Sequence, residues 1–296
     1  MVQCPASVVI ITHNRKDLLY QSLKAVESQS LYLELILMDD ASDDGTDVMI
    51  AEHFKSLLYY RSQRSMGPCW QRNEGAKRAT SNIIVFLDDD TILQDQNTIK
   101  DVIADFDTPN VGAVSIPFIN ILQNKEVQAA APDKNKIYIL HAFVAAAFAI
   151  RRNIFFQIGG FREIYFYMGE EGDLCIRLLQ KGYLIKAGTT SPAYHYQPSN
   201  RISFKADFFG RRNDILFLYL NSPRLYLVPA ILGTIVKGAM FGIRVKRFKN
   251  MIKGIFEGLK LIWSQEVQKQ VRPVKKDIFL KYRYLKKNEP LSIEEL

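Results

Sequence analysis

Short apolar runs alternate with longer segments of mixed polarity along the first ninety residues of the chain. The runs are bounded by polar turns and are predicted to form β-strands at 7–12, 33–39, 57–61 and 83–87. Helical patterns lie between them at 16–29 and 67–80, and the first presents one face made of Leu19, Ser22, Leu23 and Val26. This alternation predicts an α/β fold with a doubly wound parallel sheet.

Beyond the first hundred residues the pattern is less regular. Residues 111–120 and 141–152 are predicted to be strands of a second, mixed portion of the sheet. We expect one large domain over residues 1–210 and a helical, basic region over 211–296.

Polar residues follow three of the predicted strands at the point where each strand ends. They are "THNR" at 12–15, "DD" at 39–40 and "DDD" at 88–90. In doubly wound sheets, ligands bind at the carboxyl ends of the strands, so this coincidence favours a nucleotide site there.

The three consecutive aspartates have two interpretations. In an extended chain Asp88 and Asp90 point the same way and Asp89 points opposite. Carboxylates this close repel each other unless a cation lies between them, and oxygen ligands suit Mg²⁺ or Mn²⁺ with positions left for substrate phosphates. The alternative is an acidic loop that caps the next helix. Taken alone, the motif leaves both interpretations open.

The net charge of +8 is confined to the end of the chain. Residues 237–296 hold 15 Lys and Arg against 6 Asp and Glu, whereas the preceding residues hold 24 against 25. A basic tail suits a polyanionic partner, either a membrane surface or nucleic acid. Three cysteines without metal-ligand spacing, and an N-terminus without a secretory pattern, lead us to expect a cytoplasmic protein.

The C-terminal region contains two apolar segments. The longest uncharged run, Leu225–Val236, has 12 residues, fewer than the ~20 that span a bilayer. Further on, one predicted helical face is formed by Val245, Phe248, Ile252, Ile255, Leu259 and Ile262, with basic residues beside it. We expect a basic amphipathic helix at an anionic membrane surface; the alternative is a helix packed on the main domain with a solvated basic face.

Five segments carry a resemblance to a known family. They are "VVIITHNRKDLLYQSL", "LILMDDASDDGT", "SMGPCWQRNEGAKRATSNIIVFLDDD", "GGFREIYFYMGEEGDLCIRLLQKGY" and "SPAYHY". In this order and spacing the chain resembles the inverting family 2 glycosyltransferases of the GT-A fold, including their rhamnosyltransferase-like branch. The resemblance covers about residues 6 to 200. It implies a Rossmann-like, mostly parallel sheet with helices on both faces, and a catalytic domain that binds nucleotide sugars.

The resemblance also implies partners and a location. The donor is a nucleoside-diphosphate-sugar of the UDP or dTDP type, and the acceptor is a hydroxyl of a cell-surface polysaccharide or a lipid-linked glycan. The enzyme is expected to be cytoplasmic, peripheral at the inner face of the cell membrane, and not to bind nucleic acid.

Specific residues match positions of the family's motifs. The resemblance implies that Asp88 and Asp90 form the DXD pair that holds a divalent cation, Mn²⁺ or Mg²⁺, on the donor diphosphate. The residues implied to border the nucleotide are Thr12, Asn14, Arg15, Asp39, Asp40, Gly67, Arg72, Asn73, Asp88 and Asp89. For Gly67, Arg72 and Asn73 the alternative is a helix start with a solvated arginine.

An acidic pair, Glu170-Glu171, precedes a helix predicted at 171–181. The resemblance implies that this pair supplies the general base; we favour Glu171, with Glu170 second, over simple complementation of the helix dipole. Gly172 departs from the branched residue more frequent in the family. His195, in "SPAYHY", is either a third metal ligand or a structural histidine.

Two other function classes could use parts of this sequence. A haloacid-dehalogenase-like phosphatase could use Asp88 and Asp90, and a non-catalytic membrane adaptor would explain the basic tail. The first leaves the acidic pair unused, and the second leaves the strand-end carboxylates unused. Neither GxxxxGK[ST] nor GxGxxG occurs in the chain.

Overall fold

The computed structural model describes residues 4–198 and 203–295. Its strands are β1 (Ser7–Thr12), β2 (Glu34–Asp39), β3 (Leu58–Arg61), β4 (Ile83–Asp88), β5 (Thr91–Ile92), β6 (Val111–Ser115), β7 (Phe118–Asn120), β8 (Val127–Gln128), β9 (Tyr138–Ile139), β10 (Ala147–Arg151), β11 (Leu184–Ala187), β12 (Ala193–His195) and β13 (Leu291–Ser292). Its α-helices are α1 (Lys16–Glu27), α2 (Thr46–His53), α3 (Pro68–Arg78), α4 (Thr98–Ala104), α5 (Arg152–Gln157), α6 (Glu170–Gln180), α7 (Ser203–Asn221), α8 (Arg224–Arg244), α9 (Phe248–Leu261), α10 (Gln265–Gln270) and α11 (Lys276–Asn288).

The large sheet has nine strands in the order β13-β9-β11-β6-β10-β4-β1-β2-β3. The part of the sheet built from β1 to β4 is parallel, because β1 pairs with β2 and β4 and β2 pairs with β3 in the same direction. β10 runs antiparallel between β4 and β6, which makes the remaining part mixed, as the sequence predicted. The carboxyl ends of β1, β2 and β4 therefore meet at one edge of the sheet.

Apolar side chains fill both faces of this sheet, because consecutive residues of a strand point to opposite sides. Along β1, Val8 and Ile10 belong to one buried cluster and Val9 to the other. Helix α1 covers the first cluster with the four residues predicted for its inner face. Helix α3 covers the second so closely that a Cβ on Gly75 would lie 2.3 Å from a Val9 methyl carbon. The predicted layering of helices on both faces is confirmed.

A smaller sheet in the order β5-β12-β7-β8 lies beside the strand-end aspartates. Its strand β12 pairs antiparallel with β5, which places His195 opposite Thr91. This pairing returns a distant part of the chain to the loop that carries Asp90.

The C-terminal helices pack on the rest of the protein. The predicted boundary at residue 210 falls inside α7, and β13 adds an edge strand to the large sheet beside β9. Helix α9 packs along α7 at very short range: a Cβ on Gly254 would lie 2.2 Å from the Phe208 carbonyl oxygen. The structure therefore shows no separation between the two predicted regions at residue 210, and their division stays a prediction about function.

The structure corrects the predicted apolar face of residues 245–262. The helix begins at Phe248, after a turn in which Lys246 has a φ of 57°. Its buried positions are Met251, Gly254, Ile255 and Gly258, so only Ile255 of the predicted face is buried. The uncharged run 225–236 is also part of a longer element, because the 21-residue helix α8 continues through Lys237 to Arg244.

Candidate active site

A cavity of about 640 Å³ opens at the carboxyl edge of the parallel strands. The predicted site residues that line it are Thr12, Arg15, Asp40, Asp88, Asp89, Asp90 and His195. β1 supplies the first of these, β4 and the loop after it supply the aspartates, and β12 supplies the histidine. We call this cavity the donor cavity.

Two arginines pair with the three aspartates at the end of β4. The Arg72 Nη2 atom lies 2.6 Å from Asp88 Oδ1. Arg15 Nη1 lies 3.1 Å from Asp89 Oδ1 and 2.5 Å from Asp90 Oδ2. These contacts offset the mutual repulsion of three adjacent carboxylates.

The environment shifts the pKa values of two of these carboxyl groups in opposite directions. Burial, only partly offset by Arg15, raises the pKa of Asp89 to about 7. Asp90 is also buried, but its contacts with His195 and Arg15 outweigh the burial and lower its pKa. Of these two carboxyl groups, Asp90 is therefore the one better suited to remain charged.

The residues around Asp90 fit a divalent cation. Asp90 Oδ1 and His195 Nδ1 are buried and make no hydrogen bond to a described residue, and His195 Nε2 lies 3.3 Å from Asp90 Oδ1. Within residues 4–198 and 203–295 no group of three or more His, Cys, Asp or Glu side chains forms a ready metal site. Few protein ligands suit a hard cation that shares its coordination with substrate phosphates.

The two aspartates at the end of β2 occupy different places. Asp40 lines the donor cavity and accepts hydrogen bonds from the backbone N–H groups of Met66 (2.6 Å) and Gly67 (3.0 Å). Its pKa is lowered because these and two side-chain hydrogen bonds outweigh its burial. Asp39 is fully buried behind it and accepts from the Tyr59 hydroxyl at 2.6 Å and the Ser42 N–H at 2.8 Å.

Several predicted residues shape the cavity without lining it. Asn14, with a φ of 53°, accepts a hydrogen bond from the Asp43 N–H and holds the turn after β1. Gly67 begins α3 with a φ of 84° and packs against the Phe166 ring. Asn73 points away from the donor cavity and exchanges two hydrogen bonds with the backbone of Phe161, at 2.8 and 2.9 Å.

Arg72 connects the aspartates to the acidic pair. Its side chain is buried, and its Nη1 atom lies 3.3 Å from Glu170 Oε1 while Nη2 contacts Asp88. Burial and the neighbouring Glu171 raise the pKa of Glu170 to about 8. The solvated arginine considered as an alternative is therefore not what the structure contains.

Glu171 faces a second cavity of about 640 Å³, which we call the Glu171 cavity. The two cavities share one wall: Phe166 and Tyr167 line the donor cavity, whereas Met168, Gly169 and Glu171 line the other. The Glu171 carboxylate is partly exposed and makes no hydrogen bond or ion pair to a residue of the described part of the chain. An unpaired carboxylate that a ligand can reach is suited to accept a proton.

Helix α6 is fixed behind these glutamates by Asp173. The pair predicted four residues apart is present, with Arg177 Nη2 2.6 Å from Asp173 Oδ2. Arg162 lies 2.6 Å from the other oxygen, and Asn221 of α7 donates to it at 2.8 Å. These contacts couple the start of α6 to the C-terminal region.

Sequence reasoning missed several cavity residues. Gln71 donates to Asp40 Oδ1 at 2.6 Å, and its position inside the α3 pattern gave no sign of this. Lys205 and Phe209 enter the donor cavity from α7, beyond the segment that resembles the family. Only their proximity in the folded chain identifies them.

Comparison with known proteins identifies the family of this chain. A model described as glycosyl transferase family 2 matches residues 7–167. The chain is 23% identical over 314 residues to the O-antigen chain rhamnosyltransferase RfbN of Salmonella typhimurium (strain LT2), covering 88% of this chain and 99% of that protein. It is 24% identical over 285 residues to the O-antigen chain rhamnosyltransferase WbaN of Salmonella anatum, covering 79% and 90%.

Two solved structures share the fold. The mannosyltransferase PcManGT from Pyrobaculum calidifontis, in complex with GDP-Man and Mn²⁺, has a TM-score of 0.60 at 17% identity, covering 96% of this chain and 86% of that one. S. aureus TarS has a TM-score of 0.64 at 14% identity, covering 96% and 53%. These likenesses confirm the predicted GT-A fold.

The family model covers more than half of the chain and includes the aspartates after β4. The phosphatase and adaptor alternatives have no support from any of these comparisons. The chain belongs to glycosyl transferase family 2.

Proposed function

We infer that this chain is an inverting glycosyltransferase that moves a sugar from a nucleoside-diphosphate-sugar donor, of the UDP or dTDP type, to a hydroxyl of a cell-surface polysaccharide or lipid-linked acceptor. The relatives named as O-antigen chain rhamnosyltransferases support an acceptor of this class. The observation that carries the proposal is the meeting of Asp88, Asp90 and His195 with Arg15 in one cavity at the strand ends.

The donor diphosphate is assigned to the donor cavity by charge. Asp88 and Asp90, with His195, would hold the divalent cation, which when bound neutralises charge that develops on the leaving diphosphate. The Arg15 side chain is 45% exposed and pairs with Asp89 and Asp90. Its guanidinium can therefore also donate a hydrogen bond to a phosphate oxygen bound beside these carboxylates. Structures with a similar fold have been solved in complex with Mn²⁺, which supports a divalent cation in this protein.

The base role is assigned to Glu171. Its carboxylate is reachable and unpaired within the described residues, whereas Glu170 is buried against Arg72. In the in-line displacement, Glu171 takes the proton of the acceptor hydroxyl as its oxygen attacks the anomeric carbon, while the bond to the diphosphate breaks on the opposite side.

We propose that the enzyme works while bound peripherally to an anionic membrane. Helix α8 exposes one apolar face, formed by Leu225, Val228, Leu232, Val236, Met240 and Ile243. From Ile215 to Phe256 the chain has seven Lys and Arg and no Asp or Glu, which suits anionic lipid headgroups. Among the described residues, α8 is also the one helix whose length and composition would allow it to cross a bilayer.

The donor assignment is tested by thermal stabilisation. Mn²⁺ with a UDP- or dTDP-sugar is expected to raise the Tm of the wild-type protein, and Asp90→Asn is expected to abolish the metal-dependent part of that rise. Asp43→Asn is the matched control, because Asp43 is exposed and lies outside the donor cavity. A wild-type protein that hydrolyses phosphomonoesters and ignores sugar nucleotides would refute the proposal.

A further inference from the structure

We propose that the Glu171 cavity binds the acceptor as an uncharged, hydroxyl-rich sugar residue, and that Gly172 and Tyr282 together determine which sugars fit. The inference rests on the proposed transferase function, since Glu171 is its base. The cavity volume of about 640 Å³ lies inside the range of roughly 300–1,000 Å³ that small-molecule sites occupy.

The charges around the cavity favour a neutral ligand. Three carboxylates, Glu171, Asp214 and Glu289, line it against two cations, Arg211 and Lys286. Two of the carboxylates already have partners: Arg211 Nη1 lies 3.0 Å from Asp214, and His141 Nδ1 lies 2.6 Å from Glu289. The two ionic groups left without an ion pair to a described residue, Glu171 and Lys286, have opposite signs, so the lining has no excess charge that would favour an ionic ligand.

The C-terminal region supplies an aromatic wall. The rings of Phe217 and Tyr282 lie 5.4 Å apart between centroids and are tilted by 32°, and the His141 ring meets Tyr282 edge-on at 5.4 Å. An aromatic side chain with a polar tip offers an apolar face to sugar C–H groups and a hydroxyl to sugar oxygens. Helix α11, beyond the segment matched by the family model, thus completes the cavity.

The Tyr282 hydroxyl is available to a ligand. The residue is 4% exposed, yet its hydroxyl makes no hydrogen bond to any residue in the described ranges. The hydroxyl oxygen is not among the fully buried polar atoms that lack a partner, so it is accessible from the cavity and can form a hydrogen bond with a sugar hydroxyl bound there. Tyr282 and Glu171 line the same cavity, which places both beside one bound acceptor.

Gly172 is what allows Tyr282 to occupy this position. A Cβ added to Gly172 would lie 2.7 Å from the Tyr282 hydroxyl oxygen but 3.9 Å from its ring carbon Cζ. Any side chain at 172 must therefore displace the hydroxyl, whereas the ring itself leaves room for a methyl group. The branched residue more frequent in the family at this position cannot coexist with Tyr282 as it stands here.

The geometry gives a double-mutant test. Gly172→Ala should raise the acceptor KM about 3- to 10-fold in the wild-type background, which corresponds to the loss of one hydrogen bond. Tyr282→Phe should raise it by a similar factor. The double variant should be no worse than Tyr282→Phe alone, because removal of the hydroxyl removes the clash. Gly233→Ala is the control, since Gly233 is a helical glycine with nothing within 4 Å of the added Cβ.

The probes are methyl glycosides of neutral hexoses and deoxyhexoses, compared with uronic acids and sugar 6-phosphates. The proposal predicts transfer to neutral glycosides, with unchanged UDP or dTDP affinity by calorimetry in every cavity variant. Preference for the charged probes, or equal effects of Gly172→Ala in the wild-type and Tyr282→Phe backgrounds, would overturn it while donor binding survives. If the wild-type protein binds no sugar nucleotide, the proposed function fails first and this inference fails with it.

Discussion

Chemically identical carboxylates in this protein differ in their solvent exposure and in the residues that they contact. Glu170 and Glu171 are adjacent at the start of α6, yet the first contacts buried Arg72 and the second faces an open cavity. The helix places successive side chains about 100° apart, so neighbouring glutamates serve different surroundings. The roles of Glu170 and Glu171 can therefore be tested by separate experiments.

We expect Glu171→Gln to retain donor binding and to lose most transfer activity. Removing a general base typically costs about 10²–10⁴-fold in rate, and the amide cannot accept the acceptor proton at neutral pH. Donor affinity by calorimetry and transfer by product analysis measure the two effects separately. A Glu171→Gln variant with wild-type turnover would contradict the assignment, and loss of turnover in Glu170→Gln alone would move the role to Glu170.

The sequence identified the strand-end part of the donor cavity because parallel strands bring their carboxyl ends together. Thr12, Arg15 and the aspartates after β4 follow this rule and do meet. It could not separate Asp39 from Asp40, since the difference lies in which of them accepts a hydrogen bond from the Tyr59 hydroxyl on the neighbouring strand β3. Nor could it anticipate that Asn73 bonds the Phe161 backbone, because that contact joins residues far apart in the chain.

At the scale of elements, Glu170 at the start of α6 makes the free energy of unfolding depend on pH. Burial raises the pKa of Glu170 from 4.5 to about 8 in the folded protein. Between these values the folded state holds a proton that the unfolded state has released, so the free energy of unfolding falls as pH rises through this window.

Glu170→Gln should remove that part of the pH dependence. Relative to the wild type, the variant is expected to gain stability progressively from about pH 5 to pH 8 and to gain no more above it. Urea unfolding at pH 5.5, 7 and 8.5 measures the difference. Glu74→Gln is the control, because Lys77 and Arg78 lower the pKa of Glu74 and its contribution changes only at more acidic pH. A constant difference between wild type and Glu170→Gln would exclude a shifted carboxyl at this position.

The buried face of a helix could be predicted where apolar side chains recur at helical spacing. It was harder to predict where glycines make the helix–helix contact. Helix α1 buries the four predicted residues because its inner face is built from side chains. Helix α9 meets α7 through Gly254 and Gly258, and an apolar pattern does not register a residue without a side chain. Strands of two or three residues such as β5 and β12 carry too little pattern to be found, although their pairing positions His195.

At the scale of the whole molecule, the catalytic edge and the basic C-terminal region are physically continuous. Helix α7 supplies Lys205 and Phe209 to the donor cavity and Arg211 and Asp214 to the Glu171 cavity. Helices α8 and α9 pack on it and carry the exposed apolar and basic surface. The proposed membrane contact is thus connected to both cavities through α7, which suits an acceptor anchored in lipid.

The same surface is poorly suited to a second copy of the chain. Pairing two α8 faces would bring their exposed lysines and arginines together with no acidic residue between Ile215 and Phe256 to offset them. Anionic headgroups provide that offset, at about 1 kcal/mol for each Lys or Arg near the surface. We do not count Arg247 among the residues that attract lipid headgroups, because it is paired with Asp207 at 3.1 Å.

Vesicle flotation distinguishes these arrangements. Leu232→Asp should abolish most binding to phosphatidylglycerol vesicles, since a charge on the apolar face opposes its insertion, and replacing Lys246, Lys249 and Lys253 by Gln should weaken binding and its salt dependence. Val48→Asp is the matched control: Val48 and Leu232 are both 57% exposed, but Val48 lies on α2. Release by alkaline carbonate is expected for a peripheral protein. Retention would show that α8 spans the bilayer, and equal flotation of Leu232→Asp and wild type would exclude this helix as the contact.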